Sequence, residues 1–353
     1  MPESLRRILT QVSRSFALSL RVLHPSLREP MGLAYLLARA ADTIADTRIG
    51  ARPDRLRALD LLRQELDLAA PSRLTEVAQG LTGAQRTLAE RDLLLALPAC
   101  FAAYRELAAD DRARVRLLLL TLTEGMQADL RTFPGEDEGA LVALESRRDL
   151  DRYTYFAAGC VGEFWTDMVM AHRSACGTWQ PETMRRLGMR FGQALQMTNL
   201  LRDLAQDLRI GRCYLPREEL AAAGLTPPDL LDSAAIARLR PLLDDLLRTT
   251  MAYYEDAWAY TRAVPRREGR LRLACAWPML IGLETVEAIG RAGNLLDPTV
   301  TVKIPRSAVY RILLRSSLGA WSNAALSRQV RARARRAGAV LADSGERDFR
   351  VRT

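Results

Sequence analysis

The chain has 353 residues, 48% of them hydrophobic, with 51 basic against 42 acidic side chains, a formal charge of +9 and a pI near 9.7. Leu, Ala and Arg dominate and β-branched runs are scarce, so the composition reads as globular and mostly helical. The positive balance suits phosphates, anionic lipid or nucleic acid equally, and the five scattered cysteines (Cys100, Cys160, Cys176, Cys213 and Cys275) form neither a disulfide framework nor a zinc spacing, which points to a reducing compartment.

At the N-terminus, "MPESLRRILTQVSRSF" contains no apolar core of a signal peptide. The stretch "RAADTIADT" (39–47) follows in an apolar helical pattern and sets Asp42 and Asp46 four apart on one face. There a pair of like charges costs a helix a few tenths of a kcal/mol, about 0.2–0.5. Helical periodicity then runs through 56–70, through 90–130 with interruptions at Pro98 and at Asp110 and Asp111, through 184–208, and through 237–264. Between these segments "DRYTYFAAGCVGEFW" (151–165) mixes aromatics with Ala157, Ala158, Gly159 and Gly162, small residues that either let helices pack closely or leave room for a long apolar ligand. Pro- and Gly-marked breaks are short, and the longest apolar run, 273–283, contains Pro278 and falls short of the roughly 18 residues that span a bilayer. The chain reads as one all-α domain over 1–330. A basic tail follows over 331–353; it begins as a helix and frays, and serves as a solvated face or as an electrostatic foot on an anionic membrane. With neither a signal peptide nor a transmembrane helix expected, the expected place is the cytoplasm, with peripheral contact on the inner membrane face.

The carboxylate pair recurs: Asp203 and Asp207 repeat the four-residue spacing in "NLLRDLAQDLRIGR". Paired carboxylates on one helix face suit Mg²⁺, a hard cation that takes oxygen ligands and is completed by waters and substrate phosphates. Arg39 lies one turn before Asp42, Arg202 directly precedes Asp203, and Arg209 and Arg212 follow Asp207, so guanidinium groups stand ready for a diphosphate. Gln196, Asn199, Asp203 and Asp207 form a polar stripe in an apolar helix, as the lining of a cavity would, and Tyr153 offers a polar tip and a π face to a passing cation.

"SRSF" (13–16), "YLLARAADTIAD" (35–46), "YTYFAAGCVG" (153–162) and "QMTNLLRDLAQDLRIGRCYLP" (196–216) resemble, in order and separation, the successive motifs of the squalene/phytoene synthases, the head-to-head trans-isoprenyl diphosphate synthases. The resemblance implies the all-α isoprenoid synthase fold, a single helical bundle around a central apolar cavity with the two Asp motifs across its mouth. It implies Mg²⁺ at Asp42, Asp46, Asp203 and Asp207, and diphosphate held by Arg14, Ser15, Arg39, Arg202 and Arg212, with Phe16 in the same first motif. Tyr35, Tyr153, Gln196 and Asn199 match positions lining the reaction cavity, Tyr153 as the group that assists proton loss or steers the cation. Many relatives carry a glutamate just before the last Asp of each motif; this chain has Ala45 and Gln206 there, hence fewer charges in the site.

Family members end at presqualene diphosphate, at dehydrosqualene or phytoene, or, with NADPH, at squalene. The segment "LACAWPMLIGLETVEAIGRAGNLLDPTVTVKIPRS" resembles the reducing members, in which a "VKI" stretch approaches the nicotinamide cofactor. Lys303, the single lysine beside fifty arginines, falls there with Arg306 close behind, although Pro305 stands where relatives often have a basic residue. The expectation is a squalene synthase acting on two farnesyl diphosphates with Mg²⁺ and NADPH. The alternatives are a non-reducing member or a non-catalytic lipid-binding or assembly factor on the same fold. No nucleic-acid-binding motif is recognisable.

Overall fold

The computed structural model describes residues 1–13, 16–46, 51–67 and 87–342, and in them the all-α expectation holds. The chain folds as two compact units, one formed by residues 1–131 and 164–177, the other by 132–163 and 178–353.

In the first unit the chain runs through α1 (Glu3–Val12), α2 (Phe16–Val22), α3 (Pro25–Asp46), α4 (Arg52–Glu65), α5 (Leu88–Leu95), α6 (Leu97–Arg105) and α7 (Ala109–Thr132). The interruptions anticipated in 90–130 are real element boundaries: Pro98 sits in the first turn of α6, where its missing N–H is harmless, and Asp110 and Asp111 open α7, where the helix dipole favours negative charge. Helix α3 is the spine of this unit. Leu33, Leu36, Leu37, Ala40, Ala41 and Ile44 are buried along it, while Tyr35, Arg39, Asp42 and Asp46, spaced 4, 3 and 4 apart, share another face.

The second unit holds β1 (Val142–Leu144), α8 (Arg147–Thr154), a π-helical turn (Tyr155–Gly159), the start of α9 (Cys160–His172), α10 (Pro181–Arg202), α11 (Leu204–Arg209), β2 (Arg212–Pro216), α12 (Arg217–Ala222), α13 (Ile236–Ala263), α14 (Gly269–Arg291), α15 (Arg306–Gly319) and α16 (Asn323–Ala342). Helix α10 packs on α13, α14 and the π turn, and α14 packs on α16. The two strands pair in parallel, Val142 beside Arg212 and Ala143 beside Cys213. Among the described residues this small sheet is the one departure from a purely helical reading; Gly211, at φ +80°, makes the turn that sends the chain from α11 into it.

Two details differ from the sequence reading. The helix expected without interruption over 184–208 breaks at Asp203, whose φ −99° and ψ 10° leave the helical region and separate α10 from α11. And α14 is long and apolar enough to cross a membrane, although no such segment was expected; most of it is buried inside the fold, as in the core helix of a globular protein.

The small residues of 151–165 serve close packing. A methyl at Gly162 would collide with the Gly188 carbonyl of α10, and one at Gly192 with the carbonyl of Ala158, so the π turn and α10 meet backbone to backbone. A similar fit holds α13 to α14: the Tyr254 ring lies over Gly282, and its hydroxyl is 2.9 Å from the Thr198 hydroxyl of α10.

Gly162→Ala should therefore lower unfolding stability by about 1–3 kcal/mol, read from denaturant midpoints, since neither backbone can yield without shifting a helix. The thiols give a second check. All five cysteines are buried, and burial pushes Cys100, Cys160 and Cys213 up to about 12. At pH 8 the native protein should resist a thiol reagent that labels every cysteine after denaturation; rapid labelling of the native state would contradict this packing.

Candidate active site

In the first unit the polar face of α3 ends in a charged cluster. The Arg39 guanidinium donates from Nη1 to Asp42 Oδ2 at 2.5 Å and from Nη2 to Glu90 Oε1 at 2.8 Å. Glu90 is fixed in turn by the start of α5: Thr87 accepts from the Glu90 N–H at 3.2 Å and donates its hydroxyl to Glu90 Oε2 at 3.0 Å. Arg39 is thus held by one carboxylate from its own helix and one from another. Its Nε is buried with no partner among the described residues, a costly state for a charged group and one that an anionic oxygen would relieve.

The Asp42 carboxyl is pushed up to about 6, first by burial and then by the negative charge of Asp46; Arg39 pulls the other way. Its side chain keeps 42% of its accessible surface, so the group lies in a recess open to solvent rather than in a sealed core. Asp46, one turn on, is exposed. Tyr35 sits on the same face two turns before Asp42, its hydroxyl donating to the Val12 carbonyl at 3.4 Å.

In the second unit the same chemistry is built differently. Arg202 grips the adjacent Asp203 with two bonds, Nε to Oδ1 at 2.8 Å and Nη2 to Oδ2 at 2.5 Å. The grip coincides with the break between α10 and α11. Across the break the Asp207 N–H still reaches the Asp203 carbonyl at 3.0 Å, so the one-turn spacing of the two aspartates survives. The Arg202 guanidinium is held firmly protonated, chiefly by its bonds to Asp203, with further help from the charges of Asp203 and Asp207. Gln196 and Asn199, on the preceding turns of α10, are half-buried.

Gln196 Nε2 donates to the Tyr153 hydroxyl at 3.4 Å. The Tyr153 ring lies against Tyr214, centroids 4.3 Å apart, and Tyr214 meets Phe133 edge-on at 5.2 Å. Tyr214 comes from β2, where strand alternation puts Arg212 and Tyr214 on one side and Cys213 on the other. Lys303 and Arg306 are exposed, in the segment after α14 and at the start of α15. That segment begins near α11, because the charge of Arg209 helps hold the Asp297 carboxyl low, behind the larger effect of two hydrogen bonds from Thr299.

Of the expected residues, Tyr35, Arg39, Asp42 and Asp46 share one face of α3, while Arg202, Asp203 and Asp207 cluster about the α10–α11 junction, with Gln196 and Tyr153 in contact on the same unit. Arg14 and Ser15 lie outside the described residues, as does the side chain of Phe16. Glu90, Tyr214 and Phe133 escaped the sequence reading. The Thr87-x-x-Glu90 spacing announces a helix start but says nothing about Arg39, and Tyr214 stood inside a quoted motif with no sign of its ring partners.

The donor set fits Mg²⁺ carried with a diphosphate. All candidate ligands are carboxylates, and among the described residues no three His, Cys, Asp or Glu side chains converge. Such an ion would take one or two protein oxygens and complete its shell with water and phosphate.

Against known proteins, a family model described as squalene/phytoene synthase matches residues 9–308. The squalene synthase of Eremothecium gossypii is 26% identical over 318 residues, which cover 88% of this chain and 66% of that protein. The presqualene diphosphate synthase of Zymomonas mobilis subsp. mobilis is 30% identical over 248 residues, 69% of each chain. The chain thus spans about two thirds of the length of these relatives. Among solved structures, the complex of TcSQS with the ligand E5700 matches with a TM-score of 0.74 at 21% identity over 97% of both chains, a likeness of fold.

The electrostatics around Asp42 are open to direct measurement. In a carbon-detected carboxylate titration, Asp46→Asn should lower the Asp42 midpoint from about 6, because a repelling charge is removed, and Arg39→Gln should raise it, because an attracting one is lost. A midpoint unmoved by either change would contradict the arrangement.

Proposed function

The chain belongs to the squalene/phytoene synthase family, and from that premise we propose that it is a prenyl transferase that joins two farnesyl diphosphates head-to-head through presqualene diphosphate and reduces the product to squalene. The observation that carries the diphosphate chemistry is Arg39, clamped between Asp42 and Glu90 with a buried Nε that has no partner among the described residues.

Asp42, Asp46, Asp203 and Asp207 would hold Mg²⁺, which when bound neutralises the charge that builds on the leaving diphosphate. Arg39 and Arg202 each sit on the first aspartate of a pair, so both carboxylates are neutralised before substrate arrives and both guanidinium groups are oriented for phosphate oxygens. Arg212, and Arg14 with Ser15 from the first motif, would add further contacts. Ionisation of the allylic C–O bond leaves a carbocation that water must not reach. Tyr153, its ring braced by Tyr214 and its hydroxyl by Gln196, presents a π face to that cation and an oxygen to the proton it loses. Asn199 would line that reaction space beside Gln196 on α10, and Tyr35 would stand with Arg39 and Asp42 on the face of α3.

For the second half-reaction NADPH supplies hydride when bound. Lys303 and Arg306 are its proposed phosphate contacts: both are exposed and, among the described residues, neither has a carboxylate partner. A second reading is favoured by the relative that makes presqualene diphosphate, at 30% identity, and by Pro305 in the place of a basic residue: a non-reducing member ending at presqualene diphosphate, dehydrosqualene or phytoene. Because products of this class are lipids, we place the working enzyme beside an anionic membrane.

Purified protein given farnesyl diphosphate and Mg²⁺ should yield squalene only when NADPH is added. Presqualene diphosphate as the end product in its presence would establish the second reading, and a preference for geranylgeranyl diphosphate would indicate phytoene. Asp42→Ala, Asp46→Ala and Asp203→Ala should each lose on the order of a hundredfold in turnover while the circular-dichroism spectrum is kept; undiminished turnover in Asp203→Ala would remove that carboxylate from the site, and no turnover by the unaltered chain would favour a non-catalytic role for the fold.

A further inference from the structure

One helix face in the second unit has no partner among the described residues. Helix α15 buries Ala308, Ile312, Ser316 and Gly319, and on its opposite side Tyr310, Leu314 and Leu318 are 68%, 65% and 80% exposed; just past the helix the Trp321 ring closes over Gly269 at the start of α14. At about 100° per residue the intervals of 4 and 4 put the three helix residues within one sector of about 80°. Isolated exposed apolar residues are ordinary, but three in a line on one surface helix are an apolar stripe.

The surroundings of the stripe say what would cover it. Arg311 and Arg315 run along one flank, and Arg306 and Lys303 stand at the helix start; all four are exposed. Among the described residues none of them has a carboxylate partner. The sequence explains why: between Asp297 and Asp343 there is no acidic residue, against Lys303 and eight arginines. Arg315 lies within electrostatic reach of the buried Arg333, which is itself paired with Glu284 at 2.9 Å and so leaves that carboxylate engaged. A second copy meeting this face about a two-fold axis would bring the arginine flank near its own image, an unfavourable pairing. Anionic lipid headgroups complement the flank, while the acyl boundary accepts the leucines. Tyr310, apolar with one polar tip, is the side chain best suited to the depth between the two.

We infer that α15 is a membrane-docking helix, lying in the plane of an anionic bilayer with Tyr310, Leu314 and Leu318 inserted at the headgroup boundary and Arg311 and Arg315 on lipid phosphates. The inference deepens the placing of the enzyme beside a membrane and uses none of its chemistry. It also moves the contact from the basic tail beyond residue 330 to a defined helix face.

The test is flotation of the full chain, without substrate, on vesicles of phosphatidylglycerol mixed with phosphatidylcholine and on phosphatidylcholine alone. Binding is expected on the mixed vesicles and should be strongly reduced on the neutral ones. The double variants Leu314→Ser/Leu318→Ser and Arg311→Gln/Arg315→Gln should each weaken it on the order of tenfold or more, with circular dichroism unchanged because these side chains touch no core. Arg331→Gln/Arg335→Gln, on α16, should have the smaller effect. The inference is overturned if the chain ignores anionic vesicles, if only the α16 variant matters, or if light scattering shows a dimer that Leu314→Ser/Leu318→Ser converts to monomer. Flotation by an enzyme that makes no squalene would leave the docking helix standing, and squalene synthesis without flotation would remove the helix alone.

Discussion

Two carboxylates one helical turn apart repel each other, and the two aspartate pairs of this protein are tolerable because an arginine is fastened to the first member of each. The fastening differs in the two cases. On α3, Arg39 reaches Asp42 from one turn away and is itself anchored by Glu90 from α5. At the α10–α11 junction, Arg202 turns onto its immediate neighbour Asp203, and the helix breaks there. Both solutions leave carboxylate and guanidinium side by side at partly exposed positions, the environment in which a metal ion and a diphosphate can each find an opposite charge.

The rest of the second unit sets the aromatic side chains beside that junction. Glycines at 162, 188 and 192 bring the π turn and α10 into backbone contact, which fixes the height of Tyr153 against Gln196. Gly211 turns the chain into β2 and so delivers Tyr214 to the other side of the Tyr153 ring. The orientation of Tyr153 is held by the Tyr214 ring on one face and by a hydrogen bond from Gln196 at its hydroxyl.

The arginine-rich stretch after α14 serves two chemistries in the reading developed above. Lys303 and Arg306 are offered to a cofactor phosphate, whereas Arg311 and Arg315 flank an apolar stripe suited to lipid. The absence of acidic residues between Asp297 and Asp343 underlies both, since a neighbouring carboxylate would quench either contact. That α14 is apolar enough for a membrane and yet is buried shows how little hydropathy alone says about where lipid is met.

Much was legible in the residues themselves. Periodicity located the helices, Pro98 and the Asp110–Asp111 pair marked real boundaries, and the motif order identified the family, because these signals are local: a 3.6-residue period, a missing N–H and a one-turn spacing need no knowledge of distant chain. Tertiary structure alone decided what depends on remote partners. It joined Glu90 to Arg39, fifty-one residues away, set Tyr214 on Tyr153, turned glycines that could have opened a cavity into helix contacts, and broke the helix at Asp203 that periodicity would have continued. It also separated the apolar helix that is covered from the apolar stripe that is not. Burial and pairing are properties of what a residue is packed against, and a linear pattern records only which residues could be packed on the same side.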